Sequence, residues 1–230
     1  MKTTLLASGL GFPEGPVVMG EGRVVFCDCN TGELLVCAGD TVSAHARTGG
    51  SPWGAALGGD GAIYLTQAGN VPGSGDSSAV PGIQRVRADG TGEMLLELPG
   101  VYPNGIAFDA RQRLYWTESR TRRVQRLDGG KPVTFCQLPG SHVPDGMAFA
   151  ADGRLFVATT VSQGITVISA DGAVLDEIHL GEHATNCVFD GSDLYVTATR
   201  AADIEAAQRT GTFWRVETDA TGLELIPGRL

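Results

Sequence analysis

Five stretches of the chain share one frame: FPEGPVV, SPWGAAL, YPNGIAF, VPDGMAF and HATNCVF. The first four read x-Pro-x-Gly followed by small and apolar residues, and the fifth keeps the frame without the Pro and the Gly. The variable residue of the frame is Glu14, Trp53, Asn104, Asp145 and Asn186 in turn. Four of these carry side-chain oxygens, and two are carboxylates. Oxygens that converge on one point suit a hard divalent cation. Without a cation, Glu14 and Asp145 brought close together would repel each other. Turn chemistry is the competing explanation, because Asn and Asp before Gly are common turn residues. Glu is a poor turn residue, and four polar residues in register fit turns less well.

The elements that must position these residues follow from the spacing. Successive frame residues lie 39, 51, 41 and 41 positions apart. After each frame comes a second strand-like run: RVVFCD, AIYLTQ, RLYWTE, RLFVAT and DLYVTA. Two further short runs follow, as in RVQRL and PVTFCQ. A period near 40 residues with four short strands is the mark of a β-propeller blade. Helical repeats of that length would need a 3.6-residue period, which these runs lack. The count predicts an all-β propeller of five four-stranded blades in a single domain, residues 1–230. The N-terminal TTLLAS is expected to join the outer edge of the last blade.

In a propeller the first strand of each blade lines the central channel, so the frame residues are expected to form a ring at one mouth. Loops between second and third strands would surround that mouth, near 28–32, 66–82, 118–122, 160–163 and 199–211. Two of them are long, and long loops on one face are often functional. Tyr102, Gln67, Arg120, Arg200, His142 and His183 fall near the same mouth. Either His could shuttle a proton or be an ordinary loop residue. An Arg could hold an anionic substrate or simply be solvated.

The bulk composition excludes other classes. Apolar residues make up 42% and charged residues 19% of the 230, enough to bury a core. The net charge is −9 with no basic cluster, which disfavours nucleic acid. MKTTLLASGLGF is too short for a secretory leader, and no later run suggests a membrane span. The expectation is a cytoplasmic protein, monomeric by default, that meets a small molecule. Five Cys at 27, 29, 37, 136 and 187 show no zinc spacing and read as reduced, buried thiols. Cys27 and Cys29 alternate along one strand in this reading.

The segments GFPEGPVV, YPNGIAFDARQRLYWTE, VPDGMAFAADGRLFVAT and ATNCVFDGSDLYVTA together resemble the gluconolactonase, senescence-marker-protein and luciferin-regenerating-enzyme-like family over nearly the whole chain. That resemblance implies a divalent metal held by Glu14, Asn104 and Asp145, with Asp145 also the candidate base. It implies a metal-dependent hydrolase of lactones or esters, with calcium the first choice and zinc, manganese or magnesium as alternatives. The family is six-bladed and usually carries a Ser-Pro-Asn-Asp element where this chain has SPWG. Trp53 cannot be a ligand there, but it can wall a pocket for a ring-shaped or aromatic substrate. A lyase, isomerase or cyclase on the same metal and a non-catalytic binding propeller are the alternatives, since fold does not choose the reaction.

Overall fold

The computed structural model describes residues 13–20, 23–39, 41–71, 78–199 and 211–224. Among them the secondary structure is strand throughout, and no helix is long and apolar enough to cross a membrane. The chain divides into two compact units, residues 1–103 with 226–230 and residues 104–225.

The first unit holds two antiparallel sheets. One is β1 (Pro13–Gly20), β2 (Arg23–Asp28), β3 (Glu33–Ala38) and β4 (Thr41–Arg47), in that order. The other is β5 (Pro52–Leu57), β6 (Ile63–Gln67), β7 (Gly82–Val86) and β8 (Gly92–Glu97). Buried and half-buried residues alternate from Val24 to Cys27 along β2, with Val25 and Cys27 both inward. They join Val17, Met19, Leu34, Ile63, Leu65 and Val86 in one core that spans both sheets. Burial of each large aliphatic side chain there contributes about 1.5–3 kcal/mol.

The second unit repeats the design. The third sheet is β9 (Pro103–Phe108), β10 (Leu114–Glu118), β11 (Arg123–Asp128) and β12 (Lys131–Gln137). The fourth is β13 (Pro144–Phe149), β14 (Leu155–Thr159), β15 (Gly164–Ile168) and β16 (Val174–His179). The fifth contributes three strands, β17 (His183–Asp190), β18 (Asp193–Thr199) and β19 (Gly211–Glu217). Residues packed between neighbouring sheets form two cores, one around Tyr115, Phe149 and Leu155 and one around Phe156, Leu194 and Val196. After β19 the chain pairs Gly222 with Ala150, at the end of β13.

Five meander sheets in series are the architecture of a five-bladed β-propeller, as the repeat count predicts, and not of a six-bladed one. All five second strands sit where the sequence places them. TTLLAS, expected to complete the fifth sheet, lies outside the described residues, as do 72–77 and 200–210 of the two long loops, with Arg200. All five cysteines are free and buried, but Cys29 follows the end of β2 instead of continuing the strand.

Candidate functional site

The frame residues are strand residues, not turn residues. Glu14, Trp53, Asn104 and Asp145 are each the second residue of a blade's first strand. A β-bulge sits at this point in the first, second, fourth and fifth sheets. In the second sheet Pro52 pairs with Gln67 and Ala55 with Leu65, so Trp53 and Gly54 share one facing position. The register also shifts after Glu14, after Pro144 and after Ala184. Bulges twist a strand and re-aim its side chains, which is why they recur beside functional sites.

The frame glycine has a packing role. A Cβ on Gly15 would lie 2.7 Å from the Trp53 carbonyl oxygen, and Gly15 also adopts φ +55°, which glycine tolerates. A Cβ on Gly105 would run into the Asp145 carbonyl, and one on Gly146 into Asn186. Glycine therefore lets adjacent first strands approach closely at the frame. The fifth stretch corrects the sequence alignment here. In it Ala184 pairs with Ala198 and Asn186 with Thr197, while Asn186 packs where the other strands place a neighbour's glycine. Thr185 thus holds the frame position and Asn186 the glycine position. Letter for letter, the third residue of HATNCVF is Thr185, in agreement with this pairing.

In the first unit, Glu14 is half-buried and accepts the Gly15 N–H at 3.2 Å on Oε2. Burial pushes its carboxyl up, and the Gly15 N–H partly offsets this. Opposite it, burial holds the Cys27 thiol well above its ordinary range, aided by Cys29, Glu14 and Asp28. Trp53 is half-buried and meets Tyr102 edge to face, with ring centroids 5.6 Å apart. Gln67, 2% exposed, ends β6 with Nε2 3.4 Å from the Val80 carbonyl. Its Oε1 has no hydrogen-bond partner among the described residues.

In the second unit, Asn104 is buried and donates from Nδ2 to Ser119 Oγ at 3.5 Å. Asp145 is half-buried on the adjacent first strand. Asn186 accepts its own strand's Cys187 N–H at 2.9 Å. His183 opens β17 half-buried, and Arg120 is exposed beyond β10. His142 is buried, with Nδ1 2.9 Å from Thr166 Oγ1 on β15 and Nε2 3.2 Å from Glu177 on β16. Both its ring nitrogens are engaged by outer strands of its own blade. The second blade has a similar tie, from Gln84 on β7 to the Thr48 carbonyl ahead of β5.

Residues 14–200 match the family model described as SMP-30/Gluconolactonase/LRE-like region. The chain belongs to this family. Among solved structures, a luciferin-regenerating enzyme is 18% identical, with a TM-score of 0.75 over 96% of this chain and 82% of that one. The calcium-binding protein regucalcin from Agrobacterium tumefaciens is 18% identical, with a TM-score of 0.65 over 97% and 94%. Virginiamycin B lyase from Staphylococcus aureus is also 18% identical, with a TM-score of 0.66 over 96% and 71%. At this identity the likeness is one of fold. No curated protein matches the chain by sequence.

The family raises the question of a metal. Among the described residues, no three His, Cys, Asp or Glu side chains are grouped to hold one. In the second unit the frame donors are instead a mixed oxygen set, one carboxylate and one amide on adjacent first strands. That set suits a hard cation and not a thiophilic one. Glu14, in the first unit, is a half-buried carboxyl that burial pushes up.

Proposed function

We propose that the chain is a metal-dependent hydrolase of small lactones or esters. The observation that carries this reading is the placement of Asn104 and Asp145. They stand at the same position of two adjacent first strands, with Gly105 drawing those strands together. Family membership supports the hydrolytic class. Asn104 and Asp145 would hold the cation in the second unit, and Glu14 takes the same role by its sequence motif. A bound calcium ion would supply positive charge to polarise a carbonyl and acidify a water.

The chain's own residues do the rest. Asp145 accepts a proton from the attacking water at a carboxylate oxygen, as a general base. Trp53 and Tyr102 present an aromatic edge-to-face pair that suits a ring-shaped or apolar acyl group better than a bare sugar. Gln67, Asn186, Arg120 and His183 are the candidate polar contacts to substrate. His142 serves as a tether, because both of its ring nitrogens are already engaged.

Elemental analysis of chelator-free protein tests the reading, with wild type beside the Glu14→Gln/Asp145→Asn double variant. About one divalent metal per chain, lost in the double variant, is the expected result. No metal after soaking with calcium, zinc and manganese would refute it. Hydrolysis of a lactone and ester panel in 18O-labelled water then separates the reactions. Label in the product marks a hydrolase, and turnover without label marks a lyase, isomerase or cyclase.

A further inference from the structure

We infer that Thr117 and Ser119 are positioning residues that hold Asp145 and Asn104 as a rigid pair of cation ligands. This inference rests on the metal reading above. Both residues come from the second strand of the third blade and the turn after it, yet both reach the fourth blade. Thr117, fully buried, donates from Oγ1 to the Asp145 carbonyl at 2.8 Å and accepts the Gly105 N–H at 2.7 Å. Ser119 donates from Oγ to the Pro144 carbonyl at 2.8 Å. The two peptide carbonyls that flank the Asp145 Cα are therefore each held by a hydroxyl from the neighbouring blade.

Proton accounting extends the argument to Asn104. A hydroxyl has one proton to give, and Ser119 gives it to Pro144. Toward Asn104 it can only accept, so it faces Nδ2, at 3.5 Å. The amide is thereby turned with its oxygen at the other end, the orientation a cation ligand needs.

The first, second and fourth blades lack the pair of hydroxyls, while the fifth has Thr197 and Thr199 at these positions, and Thr197 bonds Thr185 and Asn186 of its own blade. The fourth blade has Ala158 and Thr160 at these positions, and Thr160 bonds Val143 at the entry to its own blade. In the first blade, Cys27 Sγ lies 3.9 Å from the Gly54 carbonyl. Thr66 accepts the Gly54 N–H at 2.7 Å, but a residue without an oxygen ligand, Trp53, sits at that frame position. The double hydroxyl clamp thus bears on Asp145, next to the strand that carries Asn104 at the same position. Partners that orient metal ligands typically change affinity 10–100-fold when removed.

The test is calcium titration by calorimetry on chelator-treated, full-length protein. Thr117→Val and Ser119→Ala are compared with Thr117→Ser and Ser119→Thr, which keep the hydroxyl. Thr48→Val serves as a control, because it also removes a buried hydroxyl-to-carbonyl bond. We expect Kd to rise about 10–100-fold in Thr117→Val and Ser119→Ala. It should return to within a few-fold of wild type in the hydroxyl-keeping variants and stay unchanged in Thr48→Val. Folded Ser119→Ala and Thr117→Val proteins that bind calcium like wild type would overturn the inference. A second readout needs no metal: solvent exchange of the Asn104 side-chain amide protons by NMR, assigned by their loss in Asn104→Asp. Faster exchange in Ser119→Ala supports the clamp even if wild type binds no cation, in which case only the metal reading falls. Equal exchange in wild type and Ser119→Ala overturns the orientation of Asn104.

Discussion

Asp145 is the residue on which the chemistry turns. Its backbone is held on both sides by hydroxyls, and its side chain remains half-buried at a bulge. Asp145→Asn keeps the volume and removes the charge and the basicity. Steady-state kinetics on a lactone that wild type hydrolyses should show kcat lower by about 10²–10⁴-fold. Circular dichroism and the unfolding midpoint should stay close to wild type, because the backbone clamp survives the change. Wild-type turnover in this variant would remove Asp145 from the mechanism. His142 shows the opposite case. A histidine three residues ahead of Asp145 is an attractive catalytic candidate by sequence, but Thr166 and Glu177 already hold both of its nitrogens.

At the scale of the element, the bulge and the frame glycine act together. The bulge re-aims the frame residue, and the glycine admits the next strand. Gly105→Ala tests this without backbone strain, since its φ is not in the left-handed region. The added methyl would meet the Asp145 carbonyl and the Gly146 Cα, both rigid backbone. Urea denaturation should show a loss of about 1–3 kcal/mol, together with weaker metal binding. Gly39→Ala is the contrast. Gly39 adopts φ +64° with nothing within 4 Å of its Cβ direction. That variant should cost about 1–2 kcal/mol from backbone strain alone and leave metal binding unchanged. Equal metal affinity in Gly105→Ala and wild type would contradict the close-approach argument.

For the whole molecule, five buried thiols set a chemical signature. None is paired. Burial pushes the Cys187 thiol from 9.0 up to about 12, against a lowering by the Ala158 and Ala148 backbones. In the native state Cys187 stays protonated and poorly nucleophilic. A thiol reagent at pH 8 should leave Cys27 and Cys187 unmodified in native protein and label all five cysteines in urea, as peptide mass spectrometry would show. The alkaline consequence has a definite sign. Below pH 9 the thiol is protonated in folded and unfolded chains alike and contributes nothing to pH dependence. From about 9 to about 12 the unfolded chain loses that proton while the folded chain keeps it, so stability falls as pH rises. Cys187→Ala should flatten the fall in the urea midpoint between pH 8 and pH 10.5, and an unchanged slope would count against it.

Much of this was legible in the residues alone, and the misses have physical causes. The repeat period, the second strands and the blade count came from spacing and alternation, because a pleated strand with one buried face must alternate and a blade must recur at a near-constant length. Glu14, Asn104 and Asp145 were legible because Pro and Gly mark the frame around them. Asn186 was misassigned in a stretch that lacks those markers; letter for letter HATNCVF puts Thr185 at the variable place, and cross-strand pairing agrees. Thr117 and Ser119 passed unnoticed because hydroxyls near a strand end look ordinary, and their partners lie 28 and 25 residues away on another blade. Local sequence determines which residues alternate, bulge and recur. Which hydroxyl meets which carbonyl depends on how neighbouring sheets pack, and tertiary structure alone decides that.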